Sequence, residues 1–443
     1  MKRCCRSRFR QSWLILGSQP TLFSGWLLDF YSPCHPNNWL PAPTFYYPDE
    51  LFNCCGLVHP RHADVCHSPR LLGTGRGTNQ AMGTAIVLPL LMTMTITLVE
   101  PAKRGTMMGI NSIVISVAPA FGPTLSGFIL NSLSWHWLFW VVIPVAGAVF
   151  ILGFIVVTNV QDVSRVPFDI ASLALSALAF GGIIYGFSTI RELVDAHWPP
   201  AAVFLIGLIS LAFFVRRQLR LAQSGRALLD MSPFTIRNFV LSTIVLMLGL
   251  TALLGMVNVI PIYLQEGIGV SALTTGLALL PGGLFQGLVS PFIGRIYDRV
   301  GPRPLVIPGA VFMFVSMVTA TLMFTAGASV MIVVVVHCLF CVGLAFVMTP
   351  LMTVSLSSLP SRLYGHGSAI VNTLQQLGGA MGTAVMIGIM TIVAMRSTAA
   401  PAIAQSEGTT TAFVAGTVFA GLILVTSLFI APVTVKVHVS KTE

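Results

Sequence analysis

Charge is what this sequence has least of: 9% of its 443 residues are Asp, Glu, Lys or Arg, against about 25% in soluble domains. That scarcity excludes an ordinary water-soluble fold. With 55% hydrophobic residues and a mean hydropathy of +0.85, the chain belongs in a bilayer. Acids are scarcer still, 14 against 24 bases. From residue 80 onward they are Glu100, Asp162, Asp169, Glu192, Asp195, Asp230, Glu266, Asp298, Glu407 and Glu443, all in loops or at span ends. No cluster of histidines and carboxylates forms at one membrane face, which argues against an embedded enzyme. No G-x-x-x-x-G-K-[ST] run occurs, which argues against an ATP-driven motor in this chain. Of eight cysteines, six (Cys4, Cys5, Cys34, Cys54, Cys55, Cys66) crowd the first 66 residues, and Cys338 and Cys341 lie in an apolar span. No disulfide framework emerges. The run Cys54, Cys55, His59, His62, Cys66, His67 matches no zinc-site spacing, so no metal or cofactor is expected. The net charge of +10 is spread between apolar stretches rather than gathered in a patch, so no nucleic-acid partner is expected either.

What the sequence has is long apolar runs. A span of about 19 residues crosses roughly 30 Å of hydrocarbon, and such spans fall at 80–98, 107–131, 136–158, 168–189, 200–215, 239–263, 272–293, 304–325, 329–350, 367–394 and 411–434. The loops test that reading independently. Alternate loops hold Lys103 and Arg104; Arg165; Arg216, Arg217, Arg220, Arg226 and Arg237; Arg295, Arg299 and Arg303; Arg362; and the tail pair Lys436 and Lys441, fourteen in all. The opposite side holds two, Arg191 and Arg396. By the positive-inside rule the first set is cytoplasmic, and so is the C-terminus.

A repeat organises the spans. Gly83 begins GTAIVLPLLMT, followed by a loop with Pro101, Lys103, Arg104 and Gly105 and a span bearing Asn111. Gly343 begins GLAFVMTPLMT, followed by Pro360, Arg362, Gly365 and a span bearing Asn372. Parallel repeats of this kind build two bundles around a central site.

Two further patterns narrow the reading. The second span carries Gly109, Ala118, Pro119, Gly122, Pro123, Ser126 and Gly127. Ala118, Gly122 and Ser126 recur every four residues and suggest a bare face for close helix approach, while Pro119 and Pro123 each remove a ladder bond. A basic loop reads Gly294-Arg295-Ile296-Tyr297-Asp298-Arg299-Val300-Gly301-Pro302-Arg303. Together these resemble the fourteen-helix drug:proton antiporters of the major facilitator superfamily, the EmrB/QacA type, over residues 80 to about 434. The first pattern resembles that family's antiporter motif, with Ala118 and Ser126 in place of two glycines. The second resembles the superfamily's G-x-L-A-D-R-x-G-R-R loop, whose Asp latches neighbouring helix ends. The resemblance implies that role for Asp298, with Arg299 or Arg303 as partner and Gly294 and Gly301 framing the loop. Ser134-Trp135-His136-Trp137 and Pro261-Ile262-Tyr263-Leu264-Gln265 add further likeness.

The resemblance implies an all-α polytopic membrane protein with a major facilitator-like two-bundle fold, about eleven transmembrane helices retained of an expected fourteen. Residues 1–79 form an aberrant region with no defensible span. Residues 80–158 are the remainder of the first bundle, 159–238 two linking spans and a cytoplasmic loop, and 239–443 the second six-helix bundle with a short tail. The family's membrane-centre acid and first Asp loop are absent from 1–79, which suggests a shifted frame or truncation. The implied function is proton-coupled export of amphipathic small molecules across the cytoplasmic membrane by a monomer, driven by the proton gradient; the alternative is a non-transporting remnant. Polar residues on apolar spans are the candidate cavity contacts: Asn111, Asn258, Gln286, His337, Asn372, Gln375 and Gln376, with His337 also the one imidazole at depth.

Overall fold

The computed structural model describes residues 78–134, 137–156, 169–190, 192, 198–224, 226–325 and 327–431. The calls on 1–77, the Cys/His run included, on Trp135 and His136, and on the tail lysines lie outside the described residues. Eleven long α-helices follow one another among those described: α1 Thr78–Leu98, α2 Arg104–Ser132, α3 Trp137–Val156, α4 Ile170–Ser188, α5 Trp198–Ala222, α6 Arg237–Ile262, α7 Ala272–Val300, α8 Arg303–Met323, α9 Val330–Ser357, α10 Tyr364–Arg396 and α11 Pro401–Leu428. Each overlaps a span read from the sequence, α11 beginning ten residues before the expected 411–434. Among the described residues α4 to α11 are long and apolar enough to cross a membrane, eight in number. The chain is thus a multi-pass helical membrane protein.

Helices dominate because a bilayer offers the backbone no other hydrogen-bond partners. Their apolar faces point outward as well as inward: Leu288, Leu322 and Val418 are more than half exposed, which suits contact with lipid. Prolines inside α6 to α9 (Pro261, Pro281, Pro291, Pro308, Pro350) are accommodated within these spans, as bilayer helices allow. Helix starts carry polar caps: Ser271 Oγ accepts from Thr274 N at 3.1 Å and Ser329 Oγ from Met331 N at 3.3 Å. The repeat is visible in secondary structure. A 3-10 turn, Pro101–Lys103, joins α1 to α2, and another, Ser361–Leu363, joins α9 to α10.

The chain divides into two compact units. The first comprises residues up to Leu90 and Ser132–Met231. Within it α4 and α5 form a tight hairpin, in which a β-carbon on Gly182 would lie 2.8 Å from the Gly207 Cα. Small residues set that backbone approach. Where α4 begins and α5 ends, Asp169 accepts from Arg217 Nε at 2.9 Å and from its terminal nitrogen at 3.0 Å. The Arg217 guanidinium holds the Asp169 carboxyl down at about 2, against a usual 3.8. Beside that pair the buried Gln218 donates to Ser172 Oγ at 2.6 Å and accepts from Leu229 N at 3.1 Å.

The second unit comprises Leu91–Asn131 and Ser232–Glu443. In it α6 packs on α10 and α11, α7 on α9, and α8 on α9 and α11. A π-helical turn, Tyr263–Ile268, continues α6 and ends at Gly269, whose φ of 82° suits glycine. There Tyr263 stacks on Phe324 at 5.3 Å, Phe324 meets Phe413 edge-on at 5.0 Å, and the Tyr263 hydroxyl donates to Thr325 O at 2.7 Å.

Candidate functional site

The second unit holds a long antiparallel seam between α2 and α7. A β-carbon on Gly109 would stand 2.5 Å from the Ser290 carbonyl oxygen and 2.8 Å from Pro291 Cα. About four turns further along α2, Thr124 Oγ1 donates to Gly276 O at 2.8 Å. At the far end a β-carbon on Gly127 would lie 2.9 Å from Ala272 O. At the near end Gly105 and Gly294 face each other backbone to backbone. Between these points Ile113 packs over Gly287. A single stripe of α2, from 105 through 109, 113 and 124 to 127, therefore rides on α7 along most of its length.

That stripe differs in part from the face expected from sequence. Gly109 and Gly127 lie in it, but Gly122 has no described atom within 4 Å of its would-be β-carbon and is exposed. The reason is angular: at 100° per residue Gly122 points some 200° away from Thr124. Ser126 is half-buried. The side chains of Ala118, Pro119 and Pro123 lie outside the described residues; their backbone is helical.

Asp298 closes the near end of the seam. Its Oδ1 accepts from Gly105 N at 2.8 Å, and its Oδ2 accepts from Thr106 N at 2.9 Å and Thr106 Oγ1 at 2.7 Å. The two amides belong to the first turn of α2, where N–H groups have no partner within the helix and the dipole favours an anion. Sequence reading expected Arg299 or Arg303 as partner, and the structure corrects this. Arg299 is exposed, and Arg303 reaches the opposite kind of helix end, donating from Nε to Ile430 O at 2.7 Å and weakly from a terminal nitrogen to Leu428 O at 3.4 Å. The loop thus places an acid on a helix N-terminus and a base on carbonyls just past a C-terminus. Gly301, at φ 78°, makes the turn between them. Gly294 is the position at which α7 lets Gly105 approach.

Polar bonds join the two copies of the repeat crosswise. Thr93 of α1 meets Ser368 of α10, hydroxyl to hydroxyl, at 2.7 Å. Thr349 of α9 donates to Ser112 of α2 at 3.3 Å. Neither pair was singled out from sequence, because Ser and Thr on a span carry no signal until their neighbours are known.

The candidate cavity residues separate into two groups. Asn111 donates to Thr95 Oγ1 at 2.7 Å, and Asn258 donates to Leu254 O at 2.7 Å and Thr383 Oγ1 at 3.2 Å. Gln375 points at the Met348 sulfur, 3.8 Å away. These act as helix-to-helix or intrahelical ties. Gln286 is buried; Asn372 and Gln376 are half-buried and one turn apart on α10, and no side-chain hydrogen bond is recorded for these three among the described residues. His337 is buried at the α7–α9 contact. Its Nε2 lies 3.5 Å from Cys341 Sγ, and its Nδ1 has no described partner. Among the described residues no group of three metal-binding side chains occurs.

Apolar membrane helices, a duplicated helix pair and a glycine-packed seam tied at a helix end define a polytopic helical membrane protein. The model of the Major Facilitator Superfamily matches residues 75–383, and the chain belongs to that superfamily. Its fold is similar to that of the human organic anion transporter MFSD10 (TM-score 0.54, 15% identity, 93% of this chain and 80% of that one). It is likewise similar to a double-tryptophan mutant of XylE (TM-score 0.56, 15% identity, 93% and 86%). In sequence it is 40% identical over 314 residues to the lincomycin resistance protein LmrB of Listeria monocytogenes, covering 70% of this chain and 65% of that protein. It is 26% identical over 298 residues to the multidrug export protein EmrB of Haemophilus influenzae, covering 67% and 58%. The match thus spans less than two thirds of the length of these curated relatives, 65% and 58%.

Proposed function

We propose that this protein exports amphipathic small molecules, lincomycin-like drugs among them, in the manner of its resistance-protein relatives. The observation that carries the reading is the 40% identity to LmrB over 314 residues, beside a superfamily match over 75–383 that takes in the seam and latch helices. The α2–α7 seam serves as the hinge on which transport motion turns, and Asp298 as the latch on one of its ends. Half-buried Asn372 and Gln376 supply polar contacts to an otherwise greasy substrate. The protein works as a monomer in the plasma membrane, with its C-terminus cytoplasmic, as the basic loops suggest.

Export is driven by inward proton flow. The described helices carry no carboxylate in their central turns, and this favours a second reading, a chain that inserts without transporting. Expression in a pump-deficient host separates the two. Dye or lincomycin export that collapses with a protonophore supports the first; membrane insertion without export supports the second.

A further inference from the structure

One exposed face of α5 changes character along its length. Leu205, Ile209 and Phe213 are 57%, 48% and 57% exposed, and Arg216 and Arg220 follow, also exposed. At 100° per residue all five fall within an arc of about 80°. From Leu205 to Phe213 the helix climbs about 12 Å, close to the roughly 15 Å hydrocarbon depth of one leaflet. The two arginines then stand at headgroup level, one helical turn apart.

Among the described residues no acid pairs with the arginines of this face. Asp169 is committed to Arg217, which its bidentate geometry occupies. Neither Arg216 nor Arg220 has an ion pair or a side-chain hydrogen bond among the described residues. Asp230, the other described acid near this end of the hairpin, is half-buried. Orientation needs only positive charge; here two planar forks sit in line with an apolar stripe of leaflet length. Guanidinium forks match phosphate oxygens bidentately.

We propose that this face of α5 is a binding site for anionic phospholipid, with an acyl chain along Leu205, Ile209 and Phe213 and the phosphate held between Arg216 and Arg220. The site belongs to the linking hairpin and is independent of whether the chain transports.

The full-length protein, placed in phosphatidylcholine nanodiscs with graded phosphatidylglycerol and analysed by native mass spectrometry, provides the test. The wild-type protein retains phosphatidylglycerol in preference to phosphatidylcholine, and millimolar inorganic phosphate does not displace it. In R216Q/R220Q retention weakens about thirtyfold, at about 1 kcal/mol per arginine, while helical circular dichroism is unchanged. Equal retention of the two lipids by the wild type, measured without any variant, overturns the proposal. So does displacement by inorganic phosphate, which marks a free-anion site, or undiminished retention in a folded R216Q/R220Q protein.

Discussion

The carbonyl oxygen of Ser290 lies 2.5 Å from the point where a β-carbon on Gly109 would stand. No real β-carbon tolerates that distance, and the obstacle is backbone, which cannot rotate away. Gly109→Val therefore separates α2 from α7 at the middle of the seam. Overpacking costs about 1–3 kcal/mol, and this position belongs at the upper end. Gly122→Val, on a side of α2 that touches no described atom, costs far less. Thermal denaturation of the two purified variants in the same detergent gives the comparison, and equal melting temperatures would refute the seam.

Asp298 binds the first turn of α2 by charge as well as by geometry. Asp298→Asn keeps an acceptor oxygen but loses the anion that the helix N-terminus favours. Hydrogen bonds to charged groups are worth about 1.5–3 kcal/mol, so amide exchange at Gly105 and Thr106 should quicken by roughly tenfold or more. Hydrogen-deuterium exchange on peptides covering 100–110 measures this directly. Arg299→Gln leaves the same peptides unchanged, because Arg299 does not touch the carboxylate.

These two outcomes show what the sequence could and could not reveal. The helices were legible because hydropathy and loop charge are properties of single segments, and Asp298 stood out as an acid in a basic loop. Its partners did not, because they are backbone amides nearly two hundred residues away, and every residue but proline has one. The glycine spacing pointed to α2, yet Gly105 read as a loop residue and Gly122 as part of the packed face. Which side of a helix is packed depends on where its neighbour lies, and α7 is far off in sequence. In the same way Asn111 looked like a cavity contact until Thr95 appeared within 2.7 Å of it.

The Asp169–Arg217 pair predicts a pH dependence of defined sign. The Asp169 carboxyl is held at about 2, below its usual 3.8, so the unfolded chain binds the proton first as pH falls. The pair's stabilisation is complete above about pH 4 and is lost as pH drops through about 2. Its size is modest, because the Arg217 side chain is 42% exposed and screened by water. Asp169→Asn lowers the melting temperature slightly at pH 6 and flattens its fall between pH 4 and pH 2. A parallel fall in both proteins would sink the assignment.

Gly282 and His337 make the sharpest pairwise test. A β-carbon on Gly282 would run into the His337 imidazole and would stand 3.1 Å from the Cys341 sulfur. The imidazole cannot retreat easily, since it is buried and its Nε2 already sits against that sulfur. Gly282→Ala is therefore destabilising in the wild-type background. His337→Ala removes the obstacle, together with an Nδ1 that has no described partner, so the same glycine substitution made on top of it costs much less. The coupling read from the double-mutant cycle should be about 1–3 kcal/mol. Additive costs would mean that the imidazole does not occupy the space beside Gly282, and that His337 points instead toward a cavity, where its replacement should alter drug export rather than helix packing.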